Sequence, residues 1–227
     1  LYPSGTGVPW SPDGNKIAIL EGGFPSGKGT IKILDLNDKS TRNIPVEENI
    51  TQIAWLSHKK ILFLCDVSYD SAQFKLLDLS SGKVEPFNVH PLPKRGTRFS
   101  ISQNGKYLAY TIPYPNPILS ATKVYIVEIS SKKTIKINSP NGYEFLDIAL
   151  SSKGNLLAST CCKKKQYGRS RFSFWITIIN KKRHCLIAEG DSSDPDEPSW
   201  SPPTFSPNDS FIVYEKPSYI RNPKYTK

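Results

Sequence analysis

Apolar and polar residues alternate along most of the chain in short runs, and the runs recur as a unit. Trp10-Ser11-Pro12-Asp13-Gly14, followed by Ile17-Ala18-Ile19, returns as Ile101-Ser102-Gln103-Asn104-Gly105 before Leu108-Ala109-Tyr110, and as Leu150-Ser151-Ser152-Lys153-Gly154 before Leu157-Ala158. Phe205-Ser206-Pro207-Asn208-Asp209 before Ile212-Val213-Tyr214 is a degenerate copy. Trp55-Leu56-Ser57-His58-Lys59 before Ile61-Leu62-Phe63 is one residue shorter. The anchors at 10, 55, 101, 150 and 205 lie 45, 46, 49 and 55 residues apart.

About twenty residues after each of the first four anchors comes a second signature: Ile31-Lys32-Ile33-Leu34-Asp35-Leu36, Phe74-Lys75-Leu76-Leu77-Asp78-Leu79, Val124-Tyr125-Ile126-Val127-Glu128-Ile129 and Phe174-Trp175-Ile176-Thr177-Ile178-Ile179. Alternation and β-branching predict strands. A polar turn follows each, then a fourth short strand such as 83–88 or 134–138, so each unit reads as a four-stranded antiparallel meander with strands A to D. A unit of this size cannot bury both sheet faces alone and must stack on its neighbours around an axis, which predicts an all-β propeller. The blades run approximately over 5–46, 47–92, 93–139 and 140–189, with a partial fifth over 190–227. A closed ring leaves no open blade edge, so the expectation is a fragment of a larger propeller. Trp10, Trp55, Ile101, Leu150 and Phe205 are expected to pack between blades, with the Asp/Asn-Gly positions in tight A–B turns that need positive φ.

The Trp-Ser-Pro-Asp-Gly-x-x-Ile-Ala pattern at 10–18 and the Ile-x-Ile-Leu-Asp-Leu pattern at 31–36 resemble the TolB-type repeat, which is also WD40-like and similar to the propeller part of prolyl-oligopeptidase-type proteins. True WD repeats fit less well, because strand C ends in Leu-Asp-Leu or Val-Glu-Ile without a Trp. The resemblance implies a non-catalytic scaffold that binds a protein or peptide. The alternatives are the gating propeller of a serine hydrolase whose catalytic domain is not in this chain, and an intracellular WD-like scaffold.

The 227 residues carry a net charge of +10, which raises nucleic acid as a partner. Eight of the basic residues fall between Thr160 and Ala188 with no Asp or Glu, but an intervening strand splits them into two patches. Acidic residues Asp191, Asp194, Asp196 and Glu197 follow, and aromatic interleaving is confined to Tyr167 and Phe172, so nucleic acid is not expected. Meander topology sends the B–C loops and D–A connections to one end of the blades, where variable loops on a rigid scaffold place a binding face. Its candidate anchors are Phe24, Tyr69, Tyr114 and Tyr167, with Lys94, Arg95, Arg98, Lys163, Lys164, Lys165, Arg169 and Arg171 as charge.

No nucleophile elbow, zinc-protease motif or phosphate-cradling loop is present, so no catalysis is expected on this chain. No cofactor and no metal are expected, since Cys65, Cys161, Cys162 and Cys185 include no Cys-x-x-Cys pair. Their separation predicts free thiols, which favours a reducing compartment such as the cytoplasm, whereas the TolB resemblance implies an extracytoplasmic one. No stretch is long and apolar enough for a membrane span, and the oligomeric state stays open. His58, His90 and His184 are expected in solvent-facing turns.

Overall fold

The computed structural model describes residues 10–23, 28–113, 121–164, 170–192 and 202–214. Among these, strands β1 (Lys16–Gly23), β2 (Lys28–Asp35) and β3 (Thr41–Val46) form the first sheet, and a backbone bridge from Trp10 to Ile17 stands where its innermost strand belongs. The second blade is β4 (Ile50–Ser57), β5 (Lys60–Asp66), β6 (Ala72–Asp78) and β7 (Val84–Pro86). The third is β8 (Phe99–Ile101), β9 (Tyr107–Thr111), β10 (Lys123–Glu128) and β11 (Thr134–Asn138). The fourth is β12 (Glu144–Leu150), β13 (Leu156–Lys164), β14 (Ser170–Ile178) and β15 (Arg183–Ser192), and the fifth is the pair β16 (Thr204–Phe205) and β17 (Ile212–Val213). Every sheet is antiparallel with strands in chain order, as the meander reading expects.

The repeat signature is the chemistry of the A–B turn. Ser11 Oγ donates to Asp13 Oδ1 and accepts Lys16 N–H, and Asp13 Oδ1 also accepts Asn15 N–H. Ser102 with Asn104 and Ser206 with Asn208 repeat the arrangement, and Ser151 accepts Leu156 N–H in the same way. Gly14, Gly105 and Gly154 close these turns with φ between +68° and +73°, and Asp209 takes the same conformation in blade 5. At Gly105 a Cβ would also collide with the carbonyl of Leu56 in the blade before it, so that glycine serves packing as well as the turn.

Four hydrophobic clusters fill the four interblade spaces. Positions that point toward the preceding blade are equivalent: Trp55, Ile61, Phe63 and Leu77 pack on blade 1's Ile31, Ile33, Ile44 and Val46. Leu108 and Tyr110 pack on blade 2, Leu150 and Leu157 on blade 3, and Phe205 and Ile212 on blade 4. Each fully buried large side chain contributes roughly 1.5–3 kcal/mol, so the stacked faces are the principal source of stability. Trp10 corrects the expectation that it packs like its equivalents: it is 55% exposed where Trp55 is 6% exposed, because no described blade stands on its outer side.

Polar stitches set the register between blades. Gln52, buried in β4, donates from Nε2 to Phe99 O at 2.6 Å and accepts Phe99 N–H at 3.2 Å. Ala121 of blade 3 exchanges both backbone hydrogen bonds with Phe145 of blade 4, and Ser100 Oγ accepts Leu150 N–H at 3.0 Å.

Candidate functional site

The innermost strands surround an axial cavity of about 770 Å³. Trp10, Trp55, Phe99, Ile101, Leu150 and Phe205 give it apolar walls, and Asp13, Gln103 and Ser152 stand at its A–B-turn end. At the other end of the same strands sit Gln52, Arg98 and Asp147. Arg98 Nε lies 3.6 Å from Asp147 Oδ1, and burial pushes the Asp147 carboxyl above its ordinary pKa while Arg98 pulls it back.

Of the twelve candidate binding residues, Phe24, Tyr114, Lys165, Tyr167 and Arg169 lie outside the described residues, and of Lys164 only the strand backbone is described. Five of the other six form two groups at the B–C/D–A end. In the first, the B–C loop of blade 2 and the D–A connection after it meet through Ala72 N–H to Pro93 O. Here Tyr69 is 81% exposed and the Arg95 guanidinium stands 5.6 Å from its ring centre. Arg95 also lies 3.5 Å from Asp66, whose carboxyl burial pushes above its ordinary pKa. Val67 and Leu92, 62% and 66% exposed, lie on the same two loops, as does exposed Lys94. Both loops are closed by short internal bonds, Val67 N–H to Ser71 O and Thr97 N–H to Lys94 O at 3.0 Å each. Sequence reasoning named Tyr69 and Arg95 but missed Val67 and Leu92. The available signal was a hydrophobic residue placed in a loop and another between Pro91 and Pro93.

The second group corrects the loop reading of 160–171. The hairpin continues as strand to Lys164 and resumes at Ser170, so Lys163, Lys164 and Arg171 are strand residues, and Lys163 pairs in register with Arg171. Burial of both sheet faces explains the extension: Cys161 packs with Phe145 in the cluster shared with blade 3, while Cys162 packs with Phe172 and Phe174 in the cluster shared with blade 5. Arg171 Nη1 lies 3.2 Å from Glu189 Oε2, Tyr143 OH donates to the same carboxylate, and Lys163 Nζ stands over the Tyr143 ring. Arg98, the sixth residue, belongs to the half-buried pair with Asp147.

The histidine expectation holds at His58 and His90, which are exposed. It fails at His184, a half-buried residue of β15 whose ring meets the Thr177 hydroxyl at 2.9 Å and whose pKa burial lowers. The four cysteines are free thiols, with Cys65, Cys161 and Cys162 buried, and burial pushes the Cys65 thiol up to about 11. Among the described residues no three His, Cys, Asp or Glu side chains gather as metal ligands, and no helix is long and apolar enough to cross a membrane.

TolB from Acinetobacter baumannii superposes with a TM-score of 0.68 at 19% identity over 93% of this chain and 48% of that one. The fold is that of the TolB-type propeller. The propeller domain of the trilobed protease from Pyrococcus furiosus, described as having an open velcro topology, matches at TM-score 0.56 and 18% identity over 92% of this chain and 62% of that one. The tricorn protease matches at TM-score 0.61 and 15% identity over 91% of this chain and 18% of that one. The chain thus spans about half of the Acinetobacter TolB, and the TolB-type fold is what these likenesses establish. No protein-family model matches the sequence, and no curated protein matches it significantly.

Proposed function

We propose that this TolB-type propeller is a non-catalytic scaffold that binds a protein or peptide partner through the B–C/D–A end of its blades. The observation that carries the reading is the presence of Val67, Tyr69 and Leu92, each more than half exposed, on two loops joined by a backbone hydrogen bond, with the Arg95 guanidinium over the Tyr69 ring. Exposed apolar side chains gathered on preformed loops mark interaction sites, and an interface energy concentrates in aromatic and Arg anchors. Loops already closed by their own hydrogen bonds lose little entropy on binding. The charged residues around them are mostly compensated within the chain, so the contact would be led by apolar surface with polar groups setting orientation.

Affinity capture with the native protein and with Tyr69→Ala/Leu92→Ala as paired baits tests this. A partner retained by the native bait and lost by the variant, with about tenfold or greater weakening in a direct titration and an unchanged melting temperature, is the expected result. A partner held equally by both baits removes this surface from the site. A second reading, the propeller part of a hydrolase, draws on the axial cavity as a passage or chamber beside a catalytic domain. It is tested by assaying peptide and ester hydrolysis by the protein purified from its native source.

A further inference from the structure

The surplus of positive charge gathers at the A–B/C–D end of blades 2–4, opposite the face discussed above. Within each blade the two turns at this end are held together by one backbone bond: Leu79 N–H to Lys59 O, Ile129 N–H to Lys106 O and Ile179 N–H to Asn155 O. Between blades the A–B turns touch in sequence: Gly105 lies against Leu56 O of blade 2, Asn104 N–H donates to Ser152 O at 3.2 Å, and Ser152 Oγ donates to Pro207 O at 2.6 Å. The turns therefore form one rigid arc rather than independent projections.

Lysines tip this arc. Lys59, Lys60, Lys106 and Lys153 stand on or beside the A–B turns, and Lys133, Lys181 and Lys182 on the C–D turns, all exposed. The acids of the same sector are fewer than its cations, and each has partners, with Lys60 also acting on Asp78 and Glu85. Asp78 accepts Ser80 and Ser81 N–H, Glu128 accepts the Ser131 hydroxyl, Glu85 pairs with Lys83, and Asp209 accepts Ser152 N–H. Among the described residues at the opposite end, by contrast, Lys75, Arg95, Arg98 and Arg171 face Glu48, Asp66, Asp147 and Glu189.

We propose that the A–B/C–D end of blades 2–4 docks on an anionic lipid bilayer. Apart from the exposed Arg183 beside Lys182, these cations are lysine ammonium groups, point charges without the bidentate fork that suits an individual phosphate, which fits an extended anionic surface better than one ligand. They sit on the tips of separate turns, so they meet a plane of charge and line no groove that a duplex could follow. None of the exposed aromatic or large apolar residues lies on this sector of blades 2–4, which leaves single-stranded nucleic acid without a stacking platform. Juxtaposed Lys and Arg residues bind anionic leaflets additively, and that attraction falls off within a Debye length. This inference is independent of the protein-binding face.

Co-sedimentation with extruded vesicles of phosphatidylcholine alone and of phosphatidylcholine with roughly 30% phosphatidylserine tests it at low salt. The expected result is binding to the anionic vesicles only, release by about 0.5 M NaCl, and no displacement by millimolar inorganic phosphate. Lys59→Glu/Lys106→Glu should weaken binding about tenfold or more, whereas Lys123→Glu/Lys136→Glu, with the same charge change away from the arc, should weaken it much less. Lys59→Gln/Lys106→Gln is the milder pair should the reversals fail to fold, with the same ordering expected. Equal binding to both vesicle types, equal weakening by the two pairs, or release by a stoichiometric short DNA duplex would each overturn the proposal, the last in favour of nucleic acid.

Discussion

Asp147 shows what a single carboxylate costs when strand alternation places it at the inner end of a blade. It is the third polar side chain of that region, beside Gln52 and Arg98, and its burial disfavours the charged form more than Arg98 restores it. With the folded-state pKa above the unfolded one, the folded protein holds this proton more tightly. Its contribution to stability is therefore present at low pH and is lost as pH rises through the raised value. Asp13, Asp35 and Asp78, pulled below their ordinary range by hydrogen bonds from Ser11, Lys16 and Ser81 in turn, act in the opposite sense. Urea denaturation of the native protein and Asp147→Asn at pH 7 and pH 4 separates the two: the stability difference should move in favour of the native protein as pH falls. A constant difference would mean that Asp147 titrates as an ordinary carboxylate. Nothing in the sequence distinguishes Asp147 from the turn aspartates, because burial at the axis arises only when blades stack.

At the level of elements, the signatures proved to be closures of turns. Ser with Asp or Asn near the end of strand A ties the A–B turn, and the acid that ends strand C receives the C–D turn, as Asp35 does from Asn37 N–H. These local patterns are why the strands of the four-stranded blades were legible. The hairpin β13–β14 was misjudged because basic residues at its end suggested a loop, whereas the pairing of Cys161 and Cys162 with Ser173 and Phe172 carries the ladder outward. Gln52 is the least predictable element-level device, a side chain that stands in for a strand partner to blade 3. Replacing it by Ala leaves the buried N–H and C=O of Phe99 unpaired, at about 1–3 kcal/mol for each group. Gln52→Ala should therefore lower unfolding free energy by about 2–6 kcal/mol in chemical denaturation. A loss under about 0.5 kcal/mol would show that water replaces the amide without penalty.

Over the whole molecule, the same position meets different surroundings according to its place in the ring. Ile19 of blade 1 and Phe63 of blade 2 are equivalent, yet Ile19 is 39% exposed and Phe63 is fully buried. Likewise Val213 of blade 5 is 73% exposed, while Ala18, Leu62, Ala109 and Ala158 at its equivalent position are buried. Phe63→Ala should cost about 3–5 kcal/mol, and Ile19→Ala under about 1 kcal/mol, in denaturation of this chain. Comparable costs at the two sites would mean that the outer face of blade 1 is covered in solution. The sequence by itself determined the repeat, the strands, the turn chemistry and hence the propeller, because these follow from alternation and from residues near one another in the chain. It also placed Tyr69 and Arg95 at one end of the blades, since meander topology sends B–C loops and D–A connections there. Only the tertiary structure decided that the loops of Tyr69 and Leu92 meet, that Lys75, Arg95, Arg98 and Arg171 face acids at that end, and that the lysine-tipped turns of three blades form one arc. Those outcomes depend on how blades rotate about a common axis, which brings residues of separate blades within a few ångströms and leaves no periodic mark in the chain.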